Sequence, residues 1–469
     1  MKRLLLLLLP LLLPMTGSAA PHAEERPNIL IVLTDDQTLE SMRVMEKTLH
    51  LLGEEGTTFA NSFVSYPLCC PSRATLLTGQ YAHNHQVMGN VPPEGGYRRL
   101  NHKNTLPVWL RDAGYQTAHV GKYLNGYKGP EVPAGWSRWF GLSDPHTYLM
   151  YGYHVIADGK KIIFGQSEAD YQTDVLAARA EAILRGFAEN RVRNGRPFFL
   201  SVAPVAPHTE RSDEEGKGTP PRPAPRHEGT FAEEPMPDKA SFDEVDVTDK
   251  PAHIQKLPRL SPAKQEAVAH AYRSRLESLL AIDDMVERLV TALEETGEID
   301  RTVILFASDN GFFLGEHRVP DGKKLPYEES IRVPLIIRGG GFPRGSTVLQ
   351  PVANIDIAPT IVALSGARAR RKMDGIPLLP LALDPALGQD RPLLLETFNR
   401  LSGRPSYEAI RTPRWLWVEY RNGARELYDM EADPLQLQSR HGDLALAGVR
   451  TELSRRLAGL RKCAGTTCR

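Results

Sequence analysis

Cysteine is scarce in this chain: there are four in 469 residues, too few for a disulfide scaffold. Net charge is missing as well, since 57 basic residues balance 57 acidic ones. No bulk field therefore draws the chain to nucleic acid or to an acidic membrane, and any anion must be recognised locally. Internal repeats are absent. The leucine run near the N-terminus is too short for a comfortable membrane span. What remains, 41% hydrophobic and 24% charged, is an ordinary globular composition with room for one large domain and a smaller one.

Residues 1–20 read as a secretory signal: Lys2 and Arg3, a leucine run broken by Pro10 and Pro14, then Gly17, Ser18, Ala19 and Ala20. That predicts a secreted or periplasmic protein with no stable membrane anchor. In such an oxidising compartment Cys463 and Cys468 could close a small peripheral loop.

The organised part begins with Asn28 to Asp36, a continuous apolar run of strand length that ends in two carboxylates. Strands apolar on both faces belong in a covered, largely parallel sheet, where ligands gather at the carboxyl ends. Thr302 to Gly311 repeats the pattern and ends in Asp309 and Asn310. Alone, an Asp-Asp pair after a strand also fits a turn or a helix cap. Adjacent carboxylates repel unless a cation joins them, and oxygen donors favour calcium or magnesium over zinc.

A strand over 115–120 delivers Lys122. Another, from Pro197, delivers His208, a residue type suited to protonating a leaving alcohol near neutral pH. Alone, such a lysine is more often simply solvated, and the histidine equally describes a loop residue. Residues 210–262, rich in proline and charge, predict a long surface loop, either a seat of substrate selectivity or a linker. A helix over 262–296 follows, capped by Ser261, and its leucine and valine stripe reads as a core face and nothing more. From Arg391 short strands and a final helix over 444–460 predict a small meander. The fold class is α/β: a large mixed, mostly parallel sheet flanked by helices over 27–385, plus a small C-terminal antiparallel sheet with a helix over 391–469.

The stretch from Tyr66 to Gly79 orders a cysteine, a proline, a serine and an arginine at a helix start. Pro71 suits the first turn, Ser72 sits among free amide donors, and Gly79 ends the helix. Cys69 there lies in a positive field that suits a nucleophile aimed at an anion, although small buried hydrophobes are the commoner fate of Cys69 and Cys70.

The run Cys69, Pro71, Ser72, Arg73, Thr78, Gly79, followed by Gly121-Lys-Tyr-Leu-Asn-Gly-Tyr127 and Ser308-Asp-Asn-Gly311, resembles the type I sulfatases of the alkaline phosphatase superfamily, nearest their glucosamine-6-sulfatase branch. The resemblance implies that a formylglycine-generating enzyme oxidises Cys69 to Cα-formylglycine, whose hydrated aldehyde is the nucleophile. Asp35, Asp36, Asp309, Asn310 and the modified Cys69 would hold calcium or magnesium, with Arg73 steadying both. Lys122 and Lys323 would bind sulfate, and His208 would protonate the departing alcohol.

Lys324 is expected in solvent, and His317 is a candidate substrate contact. Many members carry a histidine two positions after the first lysine; this chain has Leu124, and His83 or His85 could serve instead. The implied reaction is hydrolysis of a sulfate ester, on a small molecule or a glycan, to alcohol and sulfate. Two readings compete: a phosphonate monoester or phosphodiester hydrolase of the same superfamily, and a catalytically silent binder of sulfated glycans.

Overall fold

The computed structural model describes residues 26–211, 218–399 and 405–469; the expected signal over 1–20 lies outside them. Ten strands form one sheet. In chain order they are β1 (Asn28–Thr34), β2 (Gly56–Phe59), β3 (Gln116–Gly121), β4 (Arg138–Leu142), β5 (His154–Ala157), β6 (Lys160–Ile163), β7 (Phe198–Ala203), β8 (Thr302–Ser308), β9 (Leu335–Arg338) and β10 (Ser346–Val348). Their spatial order is β10-β2-β9-β8-β1-β7-β3-β4-β5-β6. The five central strands, β8 through β4, run parallel, and the antiparallel pairs lie outside them.

The apolar runs fold this way because both faces of the sheet are covered. Alternate residues of β1 divide between two cores. Leu30 and Val32 pack with the helices α3 (Gln172–Asn194) and α4 (Pro262–Glu295), through Leu184, Leu276 and Leu279. Ile29 and Ile31 pack on the other side with α1 (Cys69–Thr78), α2 (Leu106–Asp112) and α5 (Ile357–Ser365), through Leu77, Trp109 and Ile361. Every residue of β1 and β8 is buried. Ser261 caps α4 by accepting from the Lys264 amide.

Leu393–Glu396, Tyr407–Arg411, Trp415–Tyr420 and Arg425–Asp429 form a four-stranded antiparallel sheet whose strands follow chain order. Leu453, Leu457 and Leu460 of the final helix, α6 (Ala447–Leu460), pack against it. Buried Glu426 ties this sheet to the rest by accepting from the hydroxyls of Tyr327, Tyr420 and Tyr428 at 2.6–2.8 Å. Cys463 and Cys468 are joined as a disulfide. Within 210–262, Glu210–Arg211 pairs with Gly218–Thr219 as a short hairpin, and Asp243, Glu244 and Lys250 are buried. Among the described residues no helix is long and apolar enough to cross a membrane.

Candidate active site

Parallel pairing puts four strand ends on one edge. β1 and β8 pair in register from Asn28 opposite Thr302 to Thr34 opposite Ser308, so Asp35 and Asp36 meet Asp309 and Asn310. The next strand, β7, leads to His208 and the one beyond, β3, to Lys122. The N-terminal turn of α1 brings in Cys69 and Arg73, and the chain after β8 returns Lys323. The structure thus gathers all nine expected site residues, each buried or nearly so.

Their contacts are specific. The Asp36 amide donates to Asp309 Oδ1 at 3.2 Å, and the Asn310 side-chain amide donates to Asp36 Oδ1 at 2.6 Å. Asp36 has φ +66°, left-handed for a residue with a side chain, and these bonds hold that turn. Arg73 donates through Nε to Asp309 Oδ2 at 2.7 Å and through Nη1 to the Lys122 carbonyl at 2.6 Å. Lys122 pairs with Asp35, and Lys323 with Asp36. Lys323 Nζ also lies 2.9 Å from Cys69 Sγ, and that sulfur is 3.5 Å from Asp35 Oδ1.

Burial works against charge on Asp35 and Asp36, yet Lys122 and Lys323 respectively hold both below the usual carboxylate range. Cys69 goes the other way. Burial, joined by the charge of Asp35, pushes its thiol up despite the two lysines. Desolvation therefore works against the thiolate form at this helix start.

His208 donates from Nδ1 to the Thr209 carbonyl at 2.6 Å, which fixes its tautomer, because a carbonyl can only accept. Its Nε2 therefore faces the cavity, 3.5 Å from Asp36 Oδ2. Burial lowers its pKa to about 4 against the pull of Asp36 and Asp35.

The donor set fits a hard divalent cation. Asp35, Asp36, Cys69 and His208 offer atoms all within 4.8 Å of one another, and buried Asp36 Oδ2 has no hydrogen-bond partner. Carboxylates from Asp35, Asp36 and Asp309 with the Asn310 amide oxygen form an oxygen-rich cluster of the kind calcium or magnesium takes.

A cavity of about 870 Å³ opens onto Asp36, Cys69, His208 and Lys323. Gly218 to Pro221, from the proline-rich segment read as either a selectivity loop or a linker, form part of its wall. Three further wall residues escaped the sequence reading. The Tyr148 ring lies 4.4 Å from the His208 ring and 4.6 Å from Lys122 Nζ, and its hydroxyl bonds the Asn125 amide. The Asn90 side chain accepts from the Cys70 amide at 3.0 Å. Arg275 projects from α4, so that helix is more than a core face. Only the Gly121–Tyr127 motif hinted at any of these, through Asn125.

Other expectations fail. His83 pairs with Glu396 at 3.1 Å, and His85 is buried against Thr75 at 3.0 Å; neither borders the cavity. His317 is fully buried and bonds Glu244 at 2.6 Å, while Lys324, expected in solvent, lines the cavity. Leu124 is buried in the core.

Comparison with known proteins accords with this geometry. A family profile described as Sulfatase matches residues 27–367, and one described as N-sulphoglucosamine sulphohydrolase, C-terminal, matches 315–463. The human N-acetylglucosamine-6-sulfatase is 35% identical, over 99% of this chain and 90% of its own. A Volvox carteri arylsulfatase is 34% identical, over 97% and 78%. A solved structure in complex with its substrate, D-glucosamine-2-N,6-O-disulfate, superposes with TM-score 0.76 at 26% identity, covering 93% of this chain and 98% of that one. The chain therefore belongs to the sulfatase family and is a sulfuric ester hydrolase.

Proposed function

We propose that this chain is an exported sulfatase, dependent on formylglycine and a divalent cation, that removes sulfate from sulfated amino sugars of glycans. The names of the human relative and of the bound sugar in the solved neighbour support that substrate class. The observation that carries the reading is the contact of Lys323 with Cys69, 2.9 Å apart, inside an oxygen-rich cluster.

Asp35, Asp36, Asp309, Asn310 and the modified Cys69 would hold calcium, or magnesium in its place. When bound, the cation supplies positive charge that polarises a sulfuryl oxygen and lowers the pKa of a nearby hydroxyl. Oxidation of Cys69 by the maturation enzyme supplies a hydrated aldehyde, one oxygen to accept the sulfuryl group and a second to expel sulfate and restore the aldehyde. A plain thiol has no second hydroxyl with which to expel sulfate, which favours the modified residue.

The chain's own residues do the rest. Lys122 and Lys323 face the sulfuryl oxygens and offset the charge that grows there. Arg73 ties Asp309 to the Lys122 backbone and so holds one of the candidate cation ligands in place. His208 binds its proton at Nε2; an arriving anionic ester raises its affinity for that proton, which then passes to the leaving alcohol.

Mass spectrometry of the peptide containing residue 69, taken from active enzyme, tests the nucleophile: an unmodified thiol would refute it. Release of sulfate from 6-O-sulfated N-acetylglucosamine should exceed hydrolysis of an aryl phosphodiester, and chelation should abolish it until calcium is restored. Faster phosphodiester hydrolysis would transfer the assignment to the competing class.

A further inference from the structure

The loop after α5 carries Arg368, Arg370, Arg371 and Lys372, four cations in five positions, in a chain of zero net charge. With Trp109 and Asp112 of α2 they line a groove of about 740 Å³ that shares no residue with the catalytic cavity. Asp112 is its one carboxylate, and Asp112 is already paired with Arg111 and Arg370. Among the described residues, no carboxylate lies within ion-pairing distance of Arg368, Arg371 or Lys372.

Arg371 is the telling member. It is half-buried and donates to neutral oxygens, the Asn104 carbonyl at 2.6 Å and Gln80 Oε1 at 2.8 Å. Burial lowers its pKa and no neighbouring charge opposes that shift. A partly dry guanidinium without a counter-charge is stabilised by an anion, and its planar fork matches sulfate or carboxylate.

The loop is also held in place. The Asp374 amide donates to the Gly79 carbonyl at 2.7 Å, the Gln80 side chain to the Lys372 carbonyl at 3.0 Å, and the Asn104 side chain to the Arg370 carbonyl at 3.1 Å. Gly79 ends α1 and Cys69 begins it, so the loop stands one ten-residue helix away from the nucleophile, about 15 Å. The C-terminus of α2 feeds the start of β3, which puts the groove toward the amino-terminal edge of the parallel strands.

We propose that this groove is a second glycan-binding site, which grips a sulfated stretch of a polysaccharide while the catalytic cavity works on another part. This rests on the reading that the natural substrate is a sulfated glycan, and adds that it is polymeric. Holding the polymer at two points raises its effective concentration without touching the chemistry.

The test pairs Arg368→Glu with Lys372→Glu in the full chain, since among the described residues neither side chain has a hydrogen-bond or ion-pair partner and the fold should survive; a thermal melt checks this. Heparin is the binding probe. Expected are elution from immobilised heparin at lower salt, a roughly tenfold higher KM on a sulfated polysaccharide, and unchanged kinetics on sulfated N-acetylglucosamine. Arg368→Lys should retain binding. Unchanged heparin retention, or an equal KM change on monosaccharide and polymer, would overturn the proposal. So would equal displacement of heparin by duplex DNA, which would make the patch a general polyanion surface. The retention arm reads the groove even if the protein releases no sulfate, so this proposal and the assignment of activity fail separately.

Discussion

Arg275 Nη1 donates to the carbonyl of Pro207 at 2.7 Å, one residue before His208. Its other terminal nitrogen donates to the Asp36 carbonyl, and its guanidinium lies 4.4 Å from the Phe312 ring. One side chain from the middle of α4 thereby joins the backbone of the candidate acid to that of a candidate cation ligand.

Replacing Arg275 by Met should therefore loosen both. Groups that orient a metal's ligands typically matter by about 10–100-fold in affinity or rate. The expected outcome is a loss of that size in kcat and a weaker calcium dependence, with Arg275→Lys partly restoring both. Calcium titrations of activity and of melting temperature check it; a change confined to KM would contradict the positioning role.

Arg73→Ala strands the buried carboxylate of Asp309, which Arg73 meets at 2.7 Å, and removes a weaker contact to Asp35 at 3.6 Å. Removing one partner of a buried ion pair typically costs about 3–5 kcal/mol. Denaturant unfolding should register that loss in cation-free buffer, and added calcium should recover part of it by binding the orphaned carboxylate.

His208→Gln should lower kcat by roughly 10²–10⁴-fold on alkyl or sugar sulfates, the usual scale of a general acid. On aryl sulfates with acidic phenols the loss should shrink, because those alcohols leave without a proton. Equal losses across the leaving-group series would remove His208 from the acid role.

His83 gives a pH signature far from the chemistry. Burial would lower its pKa, but the hydrogen bond and charge of Glu396 and the Cys463 carbonyl raise it to about 9. A raised folded pKa adds stability that is complete below the unfolded value of 6.5 and fades as pH climbs to about 9. The stability gap between the parent and His83→Gln should therefore be widest near pH 6 and narrow through pH 9. A gap that widens with pH would reverse the assignment.

Much of the site was legible because a buried parallel strand advertises itself by an unbroken apolar run, and the polar residues just past its end have one place to go. Asp35, Asp36, Asp309, Asn310 and Lys122 follow from that rule. Tyr148 and Arg275 do not: one sits in an irregular segment, and the other looks like any polar position on an amphipathic helix until the fold brings it beside Asp36, 239 residues away. His83 and His85 misled because adjacency to Cys69 in sequence is not adjacency across a helix; Thr75 and Glu396 claim them instead.

The sequence by itself determined the reaction class, through the Cys69 run, and the α/β plan, through strand-length apolar segments spaced by helices. Tertiary structure alone decided which charges face each other. Pairing between Asp36 and Lys323, the burial of Cys69, and the cluster of Arg371 with its neighbours depend on distance and packing, and neither is encoded locally. Periodicity reports which face of an element is covered, whereas electrostatics depends on what covers it.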